Sequence, residues 1–152
     1  MILSGTFTFD GPRARVWEIL QDPAVLAKAL PGTKSLRQVE DDRFEGTMKV
    51  SVGPMSAAEF AVNVELKDKV EPKRFEMHID GKGPVGFTKG KATIVLDEQP
   101  GPTTVMTYTS DVQIGGRIAA VGQRLLESVG KMMTTQALEA LNKELKQRLP
   151  RD

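Results

Sequence analysis

Three glycines in the middle of the chain, Gly81, Gly83 and Gly86, have the G-x-G-x-x-G spacing that can cradle a dinucleotide phosphate. That chemistry requires the glycines to lie between a strand and a helix of a βαβ unit. The residues that follow, FTKGKATIVL, are rich in β-branched side chains and carry no helical stripe. Pro84 also removes a backbone N–H that a phosphate would use. We therefore predict that these glycines, with Gly90, bend the sheet and keep space open on its concave face.

The other reactive side chains do not form a catalytic set. His78 is the only histidine, and strand alternation places it on the outer face as an exposed cross-strand partner of Glu or Lys. With one histidine and no cysteine, the sequence has no set of residues at a spacing typical of metal ligands. The pair Asp41 and Asp42 is typical of a solvated turn, and no serine lies in a G-x-S-x-G elbow. We predict no catalytic residue, no metal and no cofactor.

Composition limits the function classes. A chain of 152 residues with a formal net charge of +1 predicts one domain without a global attraction to nucleic acid. The N-terminal residues alternate in polarity and lack the basic region of a signal peptide. No apolar window approaches the roughly 18 residues of a membrane span. We expect a soluble, intracellular protein.

The apolar periodicity changes twice along the chain. Residues 2–10 alternate as a strand, and two short helices follow. Asp10 is the expected N-cap of the first, and the second is expected to begin at Asp22. Six further strands joined by hairpin-like turns come next and predict one curved antiparallel sheet. Helical spacing then runs over residues 117–149 and predicts one long helix.

This order of elements resembles the α+β helix-grip fold of the START and Bet v 1-like superfamily, also called SRPBCC. The resemblance implies a curved antiparallel sheet of about seven strands around a long C-terminal helix, with two short helices after strand 1. It also implies a single ligand-binding domain over residues 1–149 and a tail over residues 150–152. Within the superfamily, four ordered stretches resemble the CoxG family of carbon monoxide dehydrogenase subunits: LSGTFTFDGPRARVWEILQDPAVLAKALPGTKSL, KVSVGPM, GKGPVGFTKGKATIVL and QIGGRIAAVGQRLL.

The family resemblance implies a non-enzymatic accessory protein of a CO dehydrogenase-type molybdenum hydroxylase. Its implied partners are a hydrophobic small molecule, menaquinone-like or lipid, the hydroxylase subunits and, transiently, a membrane. A homodimer is a further expectation, and the implied location is the cytoplasm and the inner face of the cell membrane. Many family members carry a C-terminal extension thought to contact the membrane. The sequence here ends in QRLPRD, so we expect a weak and reversible membrane contact.

Inward positions of the predicted strands and long helix are assigned to the ligand cavity. Methionine adapts to irregular apolar shapes, although ordinary core filling explains the inward methionines equally well. Thr88 and Tyr108 supply polar groups of the kind that ligand pockets contain. The predicted cavity consists of Phe44, Met48, Phe60, Val62, Phe75, Met77, Thr88, Met106, Tyr108, Leu125, Val129, Met132 and Met133.

The fold resemblance places the cavity entrance between the short helices, the nearby hairpin loops and the start of the long helix. An exposed apolar rim there would mark ligand or membrane entry. The predicted entrance consists of Leu26, Leu30, Pro31, Val52, Gly53, Pro54, Val85, Phe87, Ile118 and Val121.

Two other functions stay open at this point. A small cyclase or dehydratase of the same superfamily would have to use Thr88, Tyr108 or Ser110, and none of these is a strong base at neutral pH. A ligand-free interaction module would present the loops KALPGTKS and VGPM to a partner. Trp17 is expected to be a packing residue in each case.

Overall fold

The computed structural model describes residues 1–149 and contains one seven-stranded antiparallel sheet with a long C-terminal helix. The spatial strand order is β1-β7-β6-β5-β4-β3-β2, so β2 to β7 form successive hairpins and β1 pairs with β7. The predicted fold class is confirmed, whereas the predicted tail lies outside the described residues. The strands are β1 (Ile2–Phe9), β2 (Thr33–Glu40), β3 (Arg43–Val52), β4 (Met55–Val70), β5 (Arg74–Gly83), β6 (Gly86–Gln99) and β7 (Thr103–Gly115). The helices are α1 (Arg13–Leu20), α2 (Pro23–Ala29), a 3-10 segment (Arg117–Val121) and α3 (Gln123–Arg148).

The starts of the two short helices have different outcomes. The expected start of α2 at Asp22 is confirmed, and the structure adds that the Asp22 carboxylate caps the helix by accepting a hydrogen bond from the Ala24 N–H at 2.9 Å. The prediction for Asp10 is wrong, because α1 begins after Pro12 without a side-chain cap. Asp10 instead accepts a hydrogen bond from Asn142 on α3 at 2.8 Å.

The predicted helix over residues 117–149 is wrong at its start. Gly122 has φ 97° and ψ 147°, which lies outside the helical region, and Gly116 has φ 85°. Glycine reaches such angles without a side-chain clash. The residues between these two glycines therefore form a separate 3-10 segment before α3.

The core is densely packed where α1 and the C-terminal half of α3 meet the sheet. Trp17 and Phe75 form an edge-to-face pair with ring centroids 5.4 Å apart, and both are buried. Leu141 and Leu145 of α3 are buried in the same hydrophobic cluster. The prediction that Trp17 is a packing residue is confirmed.

Strands β5 and β6 form a glycine-rich hairpin and pair without a register shift from Arg74 to Gly83. The glycines of this hairpin therefore do not mark a β-bulge. A Cβ added at Gly83 would collide with the backbone carbonyl of Glu59. Gly86 has φ 146° and lies against the Gly115 carbonyl. Close backbone approach therefore accounts for Gly83 and Gly86.

Candidate functional site

The long helix spans the concave face of the sheet instead of lying on its central strands. α3 packs mainly against β1 and β3 among the strands, and against α1 and α2. A Cβ added at Gly130 would lie 2.9 Å from Leu3 on β1, and one added at Gly53 would lie 2.9 Å from Leu125. The central strands β5 and β6 are instead contacted by α1, which packs against β6 and places Trp17 on Phe75 of β5.

Side chains that face this interior are only partly buried. The C-terminal half of α3 contributes four buried residues, whereas the N-terminal half contributes none. Apolar side chains of the N-terminal half of α3 thus remain partly accessible, whereas those of the C-terminal half are covered. The half-buried apolar residues that pack against the core include Met48, Met77, Ile79, Tyr108, Leu125 and Val129.

Small residues widen the interior in front of β5 and β6. A Cβ added at Gly90 would find its nearest atoms at 3.7 Å, on Asp111 and Val112, which is ordinary contact. A Cβ added at Gly81 would lie 2.9 Å from the Thr88 methyl group. A Cβ atom thus fits at Gly90 without a clash, whereas one at Gly81 would press on Thr88.

The predicted cavity residues fall into two groups and one exception. Phe44, Phe60, Val62, Phe75 and Met106 are buried in the core. Met48, Met77, Thr88, Tyr108, Leu125, Val129 and Met133 are half-buried.

The exception is Met132, which is 52% exposed, so its assignment to the cavity is wrong. The neighbouring Met133 is the half-buried one.

The predicted entrance is partly wrong. Leu26, Val52 and Ile118 are buried core residues and cannot form an exposed rim. Ile118 is held by its N–H, which donates to the Val85 carbonyl at 2.8 Å. The remaining predicted residues are half-buried or exposed: Leu30, Pro31, Gly53, Pro54, Val85, Phe87 and Val121.

An open cleft of about 500 Å³ lies at the β5–β6 hairpin, next to the 3-10 segment. Phe87 lies in it and is 46% exposed; its ring covers Gly115, where an added Cβ would overlap the ring. The predicted entrance included Val85 and Phe87 but missed the two cations of the cleft, because an apolar rim was the signal that defined it. The cleft is lined by Lys82, Gly83, Pro84, Val85, Gly86, Phe87, Gly116 and Arg117.

The polar groups of the interior are hydroxyls. Thr88, Tyr108 and Ser110 are half-buried, and no Asp, Glu or His within residues 1–149 is buried. The buried polar side chain in this part of the chain is Thr104, whose hydroxyl donates to the Gly11 carbonyl at 2.8 Å. The interior thus contains hydrogen-bonding groups without a buried acid or base.

The carboxylates with shifted pKa values lie on the outside. A hydrogen bond from His78 lowers the pKa of Glu76, and Lys91 lowers it further. His78 Nε2 lies 3.2 Å from Glu76 Oε2. His78 is therefore on the outer face with a Glu partner, as predicted, although this partner is on its own strand.

Neither a metal cluster nor a membrane-spanning helix occurs in the described part of the chain. Residues 1–149 contain no group of three or more His, Asp or Glu side chains arranged to hold a metal ion. Within the same range, no helix combines the length and the apolar character needed to cross a bilayer.

Solved structures share this fold. A conserved protein from Geobacillus kaustophilus is 26% identical with a TM-score of 0.91, over 97% of this chain and 96% of that chain. A START superfamily protein from Mycobacterium smegmatis is 12% identical with a TM-score of 0.73, over 97% of this chain and 99% of that chain. The Zhui aromatase/cyclase from Streptomyces sp. R1128 is 16% identical with a TM-score of 0.72, over 99% of this chain and 96% of that chain. No curated protein matches the chain.

The family comparison covers nearly all of the fold. Residues 5–146 match the family described as the CoxG subunit of carbon monoxide dehydrogenase. The match runs from within β1 to near the end of α3 and agrees with the START-like architecture. The chain therefore belongs to the CoxG family of carbon monoxide dehydrogenase subunits.

Proposed function

We propose that this protein is a non-enzymatic carrier that holds an apolar molecule between the sheet and the N-terminal half of α3. The observation that carries the proposal is the set of half-buried apolar side chains on the inner face, with Gly90 among them as a position that admits a Cβ without a clash. Family membership supports a role as an accessory protein of a CO dehydrogenase-type molybdenum hydroxylase.

A quinone-like or lipid-like ligand suits the lining. Methionine side chains such as Met48 and Met77 adapt to a flexible apolar molecule. Thr88 and Tyr108 offer hydrogen bonds to one polar head, and ligand pockets commonly combine an apolar wall with few polar groups. A menaquinone-like molecule has this combination of a long apolar part and a small polar ring.

A carrier is favoured over a cyclase. The aromatase/cyclase with a similar structure is 16% identical, which supports a shared fold and not a shared reaction. General acid or base catalysis requires a group that ionises near the working pH. No Asp, Glu or His within residues 1–149 is buried, so the interior offers such a reaction the hydroxyls of Thr88, Tyr108 and Ser110 in place of an acid–base pair.

The proposed carrier works in the cytoplasm, in transient contact with the inner face of the cell membrane. An apolar ligand reaches such a carrier from a bilayer, because its concentration in water is low. The expected homodimer stays a prediction, and the mass of the native protein will test it together with any lipid that copurifies.

A plug at Gly90 tests the interior as the binding site. In the variant Gly90→Leu the new side chain occupies the open space, so we expect at least roughly tenfold weaker binding of a short-chain naphthoquinone. If the interior has room for a ligand, the rest of the leucine side chain fits as the Cβ does, and thermal stability should be unchanged. The control is Lys91→Leu, the outward-facing neighbour on β6.

Two results would contradict the proposal. If Gly90→Leu loses about 1–3 kcal/mol of stability, as overpacked cores do, the interior is already filled and the interaction module is favoured. If the variant is stable and binds the naphthoquinone as tightly as the wild type, the ligand lies elsewhere.

A further inference from the structure

We propose that the free edge of β1 is a self-association surface, to which β1 of a second copy of this chain adds as an antiparallel strand. The two seven-stranded sheets then form one continuous sheet. The proposal is independent of the carrier function, because it uses none of the residues assigned to the ligand cavity. It gives the expected homodimer a defined interface.

Along one side of β1, the backbone hydrogen-bonding groups have no partner within residues 1–149. β1 is an end strand of the sheet and pairs with β7 on its other side. The Met1 ammonium group donates to the Val112 carbonyl at 2.7 Å, and the Val112 N–H donates to the Met1 carbonyl at 2.8 Å. These two residues are thus a hydrogen-bonded pair, and bonded and non-bonded pairs alternate along an antiparallel ladder. The N–H and C=O groups that point away from β7 therefore belong to Ile2, Ser4, Thr6 and Thr8.

The side chains of these four residues are open to solvent, since all of them are exposed. Ile2, at 60%, is the most exposed large apolar side chain in the described part of the chain. α3 meets β1 through the inward-facing Leu3, which lies against Gly130. The free edge thus offers unpaired backbone groups together with an uncovered apolar side chain.

β1 lacks the features that keep edge strands from pairing. Natural edge strands are blunted by charged side chains, proline or β-bulges. β1 has the sequence ILSGTFTF, without charge or proline, and its register with β7 is unbroken from Ile2 to Phe9. The opposite edge strand, β2, has two register shifts and the exposed charges Lys34, Arg37 and Glu40. Of the two edges of this sheet, β2 is therefore protected against pairing and β1 is not.

The unpaired backbone groups of β1 are complementary to themselves. With a two-fold axis at Gly5, Ser4 lies opposite Thr6 of the second copy, and Ile2 lies opposite Thr8. Even-numbered residues then face even-numbered residues, so each free N–H meets a free carbonyl. A symmetric dimer requires this property, because both copies use the same patch.

The side-chain pairs of this register also favour a second copy. On the outer face the hydroxyl groups of Ser4 and Thr6 meet, and such cross-strand pairs stabilise neighbouring strands. On the concave face Leu3 lies opposite Phe7, which is half-buried in the single copy. None of these pairs contains a charge, so two identical copies meet without repulsion between like charges.

Strand addition of this kind should give a reversible dimer. Stable complexes bury roughly 1,200–2,000 Å², and a pair of eight-residue strands lies at the low end of interface sizes. We therefore expect a monomer–dimer equilibrium with a dissociation constant in the micromolar range.

Sedimentation equilibrium of the full chain, over a wide range of protein concentrations, tests the free edge. Thr6→Pro removes an N–H that β7 does not use, and edge strands tolerate proline at such positions. Symmetry removes one hydrogen bond from each half of the interface, so we expect at least about tenfold weaker dimerisation.

A charge at the same position provides a second variant that keeps the β1 backbone unchanged. In a dimer of Thr6→Lys the two lysines occupy diagonal positions, with Cα atoms about 7–8 Å apart, and their repulsion should weaken dimerisation several-fold. The matched control is Thr93→Lys, which adds the same charge at an exposed position of β6, two strands away from the edge. It should dimerise as the wild type does.

Cysteine cross-linking tests the register. The chain contains no cysteine, so introduced thiols can form disulfides only with each other. The double variant Ile2→Cys with Thr8→Cys has its thiols about 20 Å apart within one copy. Between copies they lie opposite each other, with Cα atoms about 5.5 Å apart, which a disulfide can bridge. We expect covalent dimers on oxidation, and few from Ile2→Cys with Thr6→Cys, whose cysteines are not opposite each other.

Three results would overturn the self-association surface. A wild type that stays monomeric at every concentration would leave the edge free for an extended segment of another protein. A dimer that neither Thr6→Pro nor Thr6→Lys weakens would have its interface elsewhere, and equal cross-linking of the two cysteine pairs would exclude the register. Thermal unfolding of each variant checks the fold. The naphthoquinone titration of monomeric variants separates all three results from the carrier proposal, since binding in the interior does not require the dimer.

Discussion

Asp10 and Asn142 exchange two hydrogen bonds across 132 positions of the chain. The Asp10 N–H donates to Asn142 Oδ1 at 2.9 Å, and Asn142 Nδ2 donates to Asp10 Oδ2 at 2.8 Å. Lys146 Nζ lies 3.4 Å from the same Asp10 oxygen. This pair joins the residue after β1 to the C-terminal half of α3, at the densely packed part of the core. The opposite half of α3 has no fully buried residue, so the helix is fixed at one end and leaves the interior open at the other.

Removal of the Asn142 amide should loosen the fixed end of α3. We expect Asn142→Ala to lower the free energy of unfolding by about 1 kcal/mol, because both hydrogen bonds are lost and water replaces them in part. The melting temperature should fall by about 2–4 °C. Gln136→Ala, an exposed position on the same helix, is the control. A variant as stable as the wild type in urea and thermal unfolding would mean that the pair contributes nothing.

The same pair predicts a pH dependence. The hydrogen bond from Asn142 lowers the pKa of Asp10, and Lys146 lowers it further. Because the pKa of Asp10 is lower in the folded than in the unfolded chain, its ionised form stabilises the fold at any pH above the unfolded pKa. This stabilisation is lost as the pH falls through the pKa of the folded state. Asp10→Asn should therefore be less stable than the wild type at neutral pH. The difference should shrink below about pH 4, where carboxylates protonate, and thermal melts across this range will measure it. A difference that does not change with pH would exclude a role for the charge.

Gly122 should control how readily the 3-10 segment moves. Gly122 and Gly101 have φ values of 97° and 103°, and a Cβ at either would meet no atom within 4 Å. Alanine at either position costs about 1–2 kcal/mol of backbone strain without a clash. We expect a displacement of the adjacent 3-10 segment to relieve that strain at Gly122, whereas Gly101 lies in the turn between β6 and β7. We expect faster naphthoquinone release from Gly122→Ala in stopped-flow measurements, and unchanged release from Gly101→Ala. Equal release rates in the two variants would show that the segment is not a gate.

Two adjacent methionines test which face of α3 meets the ligand. Met133 is half-buried, whereas Met132 is 52% exposed. We expect Met133→Ser to weaken naphthoquinone binding by about 1 kcal/mol, roughly fivefold, from lost apolar contact. Met132→Ser should bind as the wild type does. The reverse order of effects in a titration would place the interior on the other side of the helix.

The elements and their order follow from local patterns in the chain. Strand alternation and helical spacing are local properties, so seven strands, two short helices and a long C-terminal helix can be read from the residues alone. The outward position of His78 and the start of α2 at Asp22 are local in the same sense. The ordered motifs of the CoxG family were sufficient to indicate the family, which the match over residues 5–146 confirms.

Which surfaces meet depends on packing between segments that are far apart in the chain. More apolar residues of α3 follow helical spacing than the sheet covers. The spacing alone therefore could not show that Met132 is exposed and Met133 half-buried. Burial of Leu26, Val52 and Ile118 depends on elements distant in sequence, and so does the diversion of Asp10 from its expected cap to Asn142. Lys82 and Arg117 come together because the β5–β6 hairpin and the 3-10 segment end at the same place. Patterns within one segment predict that segment, whereas a site made by several segments exists only once long-range packing has brought them together.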